Sequence, residues 1–198
     1  MAQSADDLPG GNIFKQAWVT ITSFFGSFLS SDDDEIDETT GLTRQQKTLI
    51  KKSWSYVQED KLRIGVLIFI KLFKAFPSSQ QMFDKLKDFT DMEELARNKK
   101  MKAHATRVMA AFTSIVEYID QPDILDELLR NTSITHYKLR MPPHYFEDLG
   151  GVIIEALSES LGDKFTQKTK EAWLIYYSYM CKVMLEEMEL LEPSHDDN

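Results

Sequence analysis

From Thr43 to about residue 185, apolar side chains recur at spacings of three and four, and the only prolines in that span are Pro77, Pro122, Pro142 and Pro143. No alternating apolar and polar run bounded by hairpin turns interrupts the pattern. A chain written this way buries its apolar residues by packing helix on helix. The fold class is therefore all-α, with six to eight helices. Thr43 and Gln46 read as an N-cap and capping box, after which Leu49, Ile50, Trp54 and Val57 share a face. The segment Lys61 to Ala75 is apolar nearly all round and is expected to be deeply buried. Pro77 stops it and opens a short turn, because the residue before proline avoids the helical region. A long helix is expected over 93–120, with Met101, His104, Val108, Ala111, Ile115 and Ile119 on one stripe. Helices over 123–138, 143–161 and 166–191 follow. The first of these carries Leu125, Leu128, Leu129, Thr132 and His136 on one face, and the last carries Trp173, Tyr177, Met180 and Met184.

Charge divides the chain differently from periodicity. The net charge of −9 sits at the ends: residues 1–42 hold eight acids and one base, and residues 186–198 hold six acids and no base. The middle is left mildly basic, without a dense Lys/Arg run, which argues against nucleic acid as a partner. Three parts are expected: an extension over 1–42, a globular domain over 43–190 and an acidic tail over 191–198. Within the extension, Phe14, Ala17, Trp18, Ile21, Phe24, Phe25 and Phe28 recur at helical spacing, ahead of an acidic run that reads as a solvated linker. Within residues 13–29 the apolar stretch 16–29 is too short and too diluted by Thr, Ser and Gly to span a bilayer. Their stripe suits contact with a membrane surface or with protein. One cysteine, Cys181, rules out an internal disulfide and a multi-cysteine zinc site. A cytoplasmic location is expected, peripheral at a membrane where the extension engages one.

Two of the four histidines interrupt apolar stripes. His195 lies in the polar tail, and His144 follows the double proline as a candidate cap. His104 and His136 stand on the inner faces of successive helices. A lone histidine on such a face is usually a core residue bonded to a carbonyl. Two facing ones also suit a metal centre between the helices, since an unpartnered buried imidazole is costly. Zinc would need third and fourth ligands that these stripes lack. Haem needs only one or two imidazoles in an apolar slot, and with no C-x-x-C-H motif it would be held non-covalently, as haem b. No phosphate-binding glycine motif, H-E-x-x-H or G-x-S-x-G occurs.

Four segments in order resemble the globin family, closest in texture to its cytoglobin-like and neuroglobin-like branch: FPSSQQMFDKLKDF (76–89), MKAHATRVM (101–109), SITHYKLRMPPHYF (133–146), and GGVIIEAL followed by the Trp173 region. The resemblance implies a globin fold around a haem pocket. It implies His136 as the axial iron ligand and His104 at the sixth position, with Phe83 stacking on the haem. Phe69 and Val108 would wall the distal side, and Thr132 and Met141 would lie on the proximal side. Gly65 would let its helix cross closely against the distal helix. Arg107, Lys85 and Arg140 are the matching candidates for cations near the haem propionates, a pairing that charge-assisted hydrogen bonds favour; for Arg107 and Lys85 an ordinary surface cation is an equal reading.

The function this resemblance implies is an intracellular haem protein that reversibly binds oxygen, nitric oxide or carbon monoxide, bis-histidyl when ligand-free. The alternatives are a haem redox enzyme (nitric oxide dioxygenase or nitrite reductase), which would call on a reductase, or a redox or oxygen sensor. No motif separates these, because one pocket serves them all.

Overall fold

The computed structural model describes residues 35–192. The aromatic stripe of 13–29 and the tail beyond Glu192 lie outside the described residues. Eight α-helices are present among those described: α1 (Arg44–Glu59), α2 (Lys61–Ala75), α3 (Pro77–Gln80), α4 (Met92–Arg97), α5 (Lys99–Glu117), α6 (Pro122–Lys138), α7 (His144–Leu161) and α8 (Gln167–Leu191). A 3-10 turn, Gly162–Lys164, joins the last two.

The helix starts follow local chemistry. Thr43 accepts from the Gln46 backbone, and the Gln46 side chain accepts from the Thr43 backbone, closing the expected capping box. Chain upstream of this cap already joins the core: Leu42 is fully buried, and Ile36 forms an isolated bridge to Thr43. Pro122 opens α6 at a first-turn position, where a missing N–H costs nothing.

One expectation changes. The helix expected over 93–120 is two, α4 and α5, broken at Asn98, and it ends at Glu117. Asn98 takes an extended backbone conformation (ψ 133°) and its side chain accepts from Lys100 N. A short amide side chain that bonds its own following backbone competes with helix and favours a cap. Ala111, placed on the inner stripe by periodicity, is exposed. The buried line is instead Met101, Ala105 and Met109, with His104, Val108 and Phe112 half-buried beside it. At 100° per residue Ala111 falls on the outer edge of the stripe, beyond His104.

Packing then places the helices. α6 lies along α8, α1 packs on α8, and α2 is sandwiched by α5 and α7. Buried polar groups lock these seams: Trp173 Nε1 donates to Ser53 Oγ (2.8 Å), Tyr176 to the Ile115 carbonyl (2.6 Å), and Tyr177 to the Phe146 carbonyl (2.7 Å). Each satisfies a group whose burial would otherwise cost about 1–3 kcal/mol. No helix among the described residues is long and apolar enough to cross a membrane.

α2 and α5 approach closely because Gly65 has no side chain. A Cβ there would lie 2.6 Å from Met109 Cγ and 3.4 Å from Ala105 Cβ. For Gly65→Ala, the helix-propensity gain of about 1 kcal/mol offsets only part of an overpacking cost of about 1–3 kcal/mol. The variant is expected to unfold at lower urea concentration than the parent, with an unchanged slope.

Candidate functional site

α5 presents His104 and Val108 one turn apart, both half-buried. The His104 ring packs edge-on against Phe69 (centroids 4.7 Å) and Phe83 (5.0 Å). Phe69 comes from α2, where it is 4% exposed. Phe83 comes from the loop between α3 and α4, and it also meets Phe73 at 5.1 Å. That loop is held by the buried Gln80 side chain, which donates to the Leu86 carbonyl (2.8 Å) and the Phe89 carbonyl (2.9 Å). Among the described residues, no hydrogen-bond partner reaches either ring nitrogen of His104. Burial, then the neighbouring Arg107 and His136, push its pKa down from 6.5 to about 4. The imidazole is therefore neutral at physiological pH and keeps a free lone pair.

His136 closes α6 from the other side. Its Nδ1 lies 2.8 Å from the Thr132 carbonyl oxygen. A carbonyl only accepts, so Nδ1 carries a proton, and in the neutral ring it is Nε2 that bears the lone pair. This is the tautomer a metal-ligating histidine needs, with its orientation set by the bond behind it. The role of Thr132 is thus carried by its backbone oxygen, while its hydroxyl turns back to the Leu128 carbonyl. Phe146, buried on α7, packs edge-on at 5.3 Å from the His136 ring.

The implied cofactor can be tested against these donors. No cluster of three or more His, Cys, Asp or Glu side chains suited to a metal ion occurs among the described residues. The available ligands are two imidazoles among aromatic and aliphatic side chains, which suits a haem iron and leaves a bare zinc ion short of ligands. The residues present fit haem.

The globin family profile matches residues 66–184. This chain belongs to the globin family. It is similar to Cytoglobin-1 of Oryzias latipes, 33% identical over 159 residues that cover 78% of this chain and 90% of that one. It is also similar to Cytoglobin-2 of Danio rerio, 34% identical over 146 residues, covering 70% and 82% respectively. Among solved structures, a hexacoordinated heme protein from an anhydrobiotic tardigrade superposes with a TM-score of 0.73 at 23% identity, over 77% of this chain and 99% of that one.

This globin carries three of its implied cofactor contacts on the surface. Lys85, Arg107 and Arg140 are exposed, and among the described residues none of them forms an ion pair. Met141 is half-buried at the corner after α6. That corner has a feature sequence periodicity does not reveal. Arg140 adopts φ +56°, the left-handed region. Arg140 N donates to the Tyr137 carbonyl (2.8 Å) and Met141 N to the His136 carbonyl (3.1 Å). These two bonds make a Schellman cap, so His136 is tied at its carbonyl as well as at its ring. Phe146 and the Thr132 carbonyl were also missed. Phe146 stands inside the proximal motif, but only the fold-back after Pro142-Pro143 brings it to the ring.

Glycine is the residue that tolerates a left-handed C-cap without strain. Arg140→Gly should therefore raise the stability of the haem-free protein by roughly 0.5–1 kcal/mol, read by urea denaturation. His104 supplies a pH prediction of definite sign. Its folded pKa of about 4 lies below the 6.5 of the free side chain, so between these values the unfolded chain binds a proton that the native state does not. Stability then rises with pH across that window and falls on acidification. The haem-free protein should lose stability from pH 6.5 toward pH 4 more steeply than His104→Leu, measured by denaturation at each pH.

Proposed function

We propose that this globin holds one non-covalent haem b between α5 and α6, with His136 as axial ligand and His104 opposite it when no gas is bound, and that it reversibly binds oxygen and nitric oxide. The observation that carries this reading is the bond from His136 Nδ1 to the Thr132 carbonyl, which in the neutral ring leaves Nε2 as the lone-pair donor, with the half-buried, neutral His104 on α5 as the second. Haem supplies an iron that binds diatomic gases and exchanges electrons. The chain supplies the environment. Phe69, Phe83, Val108 and Met141 keep water from the slot. Lys85, Arg107 and Arg140 pair with the propionates at its edge. His104 has two uses: its lone pair ligates, and once displaced its N–H donates to a polar gas. The cytoglobin likeness and the haem in the tardigrade protein support this assignment. Residues 43–190 form the haem-binding domain of a cytoplasmic protein, and the extension over 1–42 contacts a membrane surface or another protein.

Absorption spectra test the proposal. Wild-type ferrous protein without gas should show sharp, resolved low-spin bands, and His104→Leu should show one broad high-spin band while keeping its haem. His136→Ala should lose stoichiometric haem. Carbon monoxide should bind faster to His104→Leu than to wild type, because the internal imidazole no longer competes. A broad high-spin band in the wild type would exclude the bis-histidyl state, and a normal spectrum in His136→Ala would exclude the ligand assignment.

A further inference from the structure

A file of aromatic rings runs from α5 to Tyr179, midway along α8. It begins at Phe112, one turn beyond Val108, and passes to Trp54 at 6.0 Å. Trp54 lies 5.8 Å from Trp173, Trp173 lies 6.2 Å from Tyr176, and Tyr176 stacks on Tyr179 at 6.5 Å with planes 7° apart. Indoles and phenols are among the side chains most readily oxidised by one electron, and successive contacts at such distances suit stepwise transfer of an electron.

The four oxidisable rings differ in where their protons can go. Trp54 Nε1 donates to the Thr113 hydroxyl, Trp173 Nε1 to the Ser53 hydroxyl, and the Tyr176 hydroxyl to the Ile115 carbonyl. None of these acceptors is a base. The Tyr179 hydroxyl instead donates to the Asp126 carboxylate. A phenol that has lost an electron becomes a strong acid, so the electron vacancy settles where a base takes the proton. In the resting protein, burial and the neighbouring carboxylate raise the Tyr179 pKa, and the proton stays on the phenol until oxidation.

We propose that Tyr179, connected through Tyr176, Trp173 and Trp54, is a redox-active tyrosine that sends one electron toward the haem pocket and its phenolic proton to Asp126. The inference rests on the haem reading above for its oxidant, a hydroperoxide reduced at the ferric haem. Reduction of a hydroperoxide to alcohol and water breaks the O–O bond and takes two electrons and two protons. The ring file delivers one electron, leaving a neutral Tyr179 phenoxyl radical and a protonated Asp126. A small one-electron donor such as ascorbate supplies the second electron, and over the full cycle two donor molecules each give up one electron and one proton, which balances what the hydroperoxide takes. The same donor then re-reduces the radical while Asp126 returns the proton. The device carries oxidising equivalents out of the pocket to Tyr179, which is buried but keeps 8% of its surface exposed for contact with a small donor.

Two measurements on the full chain test this. In the first, haem-loaded ferric protein is mixed with hydrogen peroxide, frozen and read by electron paramagnetic resonance. A tyrosyl radical is expected in the wild type, lost in Tyr179→Phe and several-fold weaker in Asp126→Asn, which keeps a hydrogen-bond acceptor but removes the base. An unchanged tyrosyl signal in either variant overturns the proposal. The second needs no haem: pulse radiolysis with the azide radical oxidises tryptophan, and the absorbance decay reports transfer to tyrosine. Fast tryptophan-to-tyrosine transfer that disappears in Tyr179→Phe and in Trp173→Phe supports the file, and its absence in the wild type overturns it. Failure of the chain to retain added haem would overturn the haem reading and the peroxide step, while this transfer would still establish Tyr179 as the resting place of the vacancy.

Discussion

Leu125, Leu129 and Ser133 bury one edge of α6 against α8, with the Ser133 hydroxyl bonded to the Met184 carbonyl, and that seam fixes how α6 presents His136. Everything proximal builds outward from it. The Thr132 carbonyl orients the imidazole ring, the Arg140 cap ties the His136 carbonyl, and Phe146 closes the side of the ring. Each restraint is modest alone, since a net hydrogen bond contributes about 1 kcal/mol. Together they leave the imidazole one orientation and one tautomer, which is what a ligand position requires.

The distal side is built on the opposite principle. His104 is held by ring packing against Phe69 and Phe83, without a hydrogen bond to direct either nitrogen. A ring held by shape alone can swing without breaking a bond, whereas His136 would break one. This contrast between a tied and an untied histidine gives physical content to a ligand position that opens and a ligand position that does not. Gly65 governs the same wall from behind, because the close α2–α5 crossing sets the distance between Phe69 and His104.

The surface cations follow a different logic again. Lys47, Lys71 and Arg130 are partnered by Asp37, by Glu155 and Glu159, and by Glu187. The Lys71 and Arg130 pairs tie helix to helix, and the Lys47 pair ties the first helix to the segment before it. Lys85, Arg107 and Arg140 lie within two residues of Phe83, Val108 and Met141, and among the described residues none of them pairs with an acid. At Arg140 the backbone bears left-handed strain that glycine would avoid.

Much of this was legible in the residues themselves. Helix spacing, the Thr43–Gln46 capping box and the proline boundaries are local chemistry, decided within one or two turns of chain, and they appear where the pattern places them. His104 and His136 announced themselves as polar residues on apolar stripes. Asn98 did not, because a cap and a tolerated helix residue read alike until the backbone turns. Ala111 failed for a related reason: periodicity gives a stripe but not its edges, and only the crossing of α2 over α5 decides which flank is covered. The tautomer of His136, the left-handed Arg140, the approach of Phe146 and the ring file from Trp54 to Tyr179 join residues far apart along the chain. Such contacts depend on how whole helices cross, and that is a property of the packed molecule which no local spacing encodes.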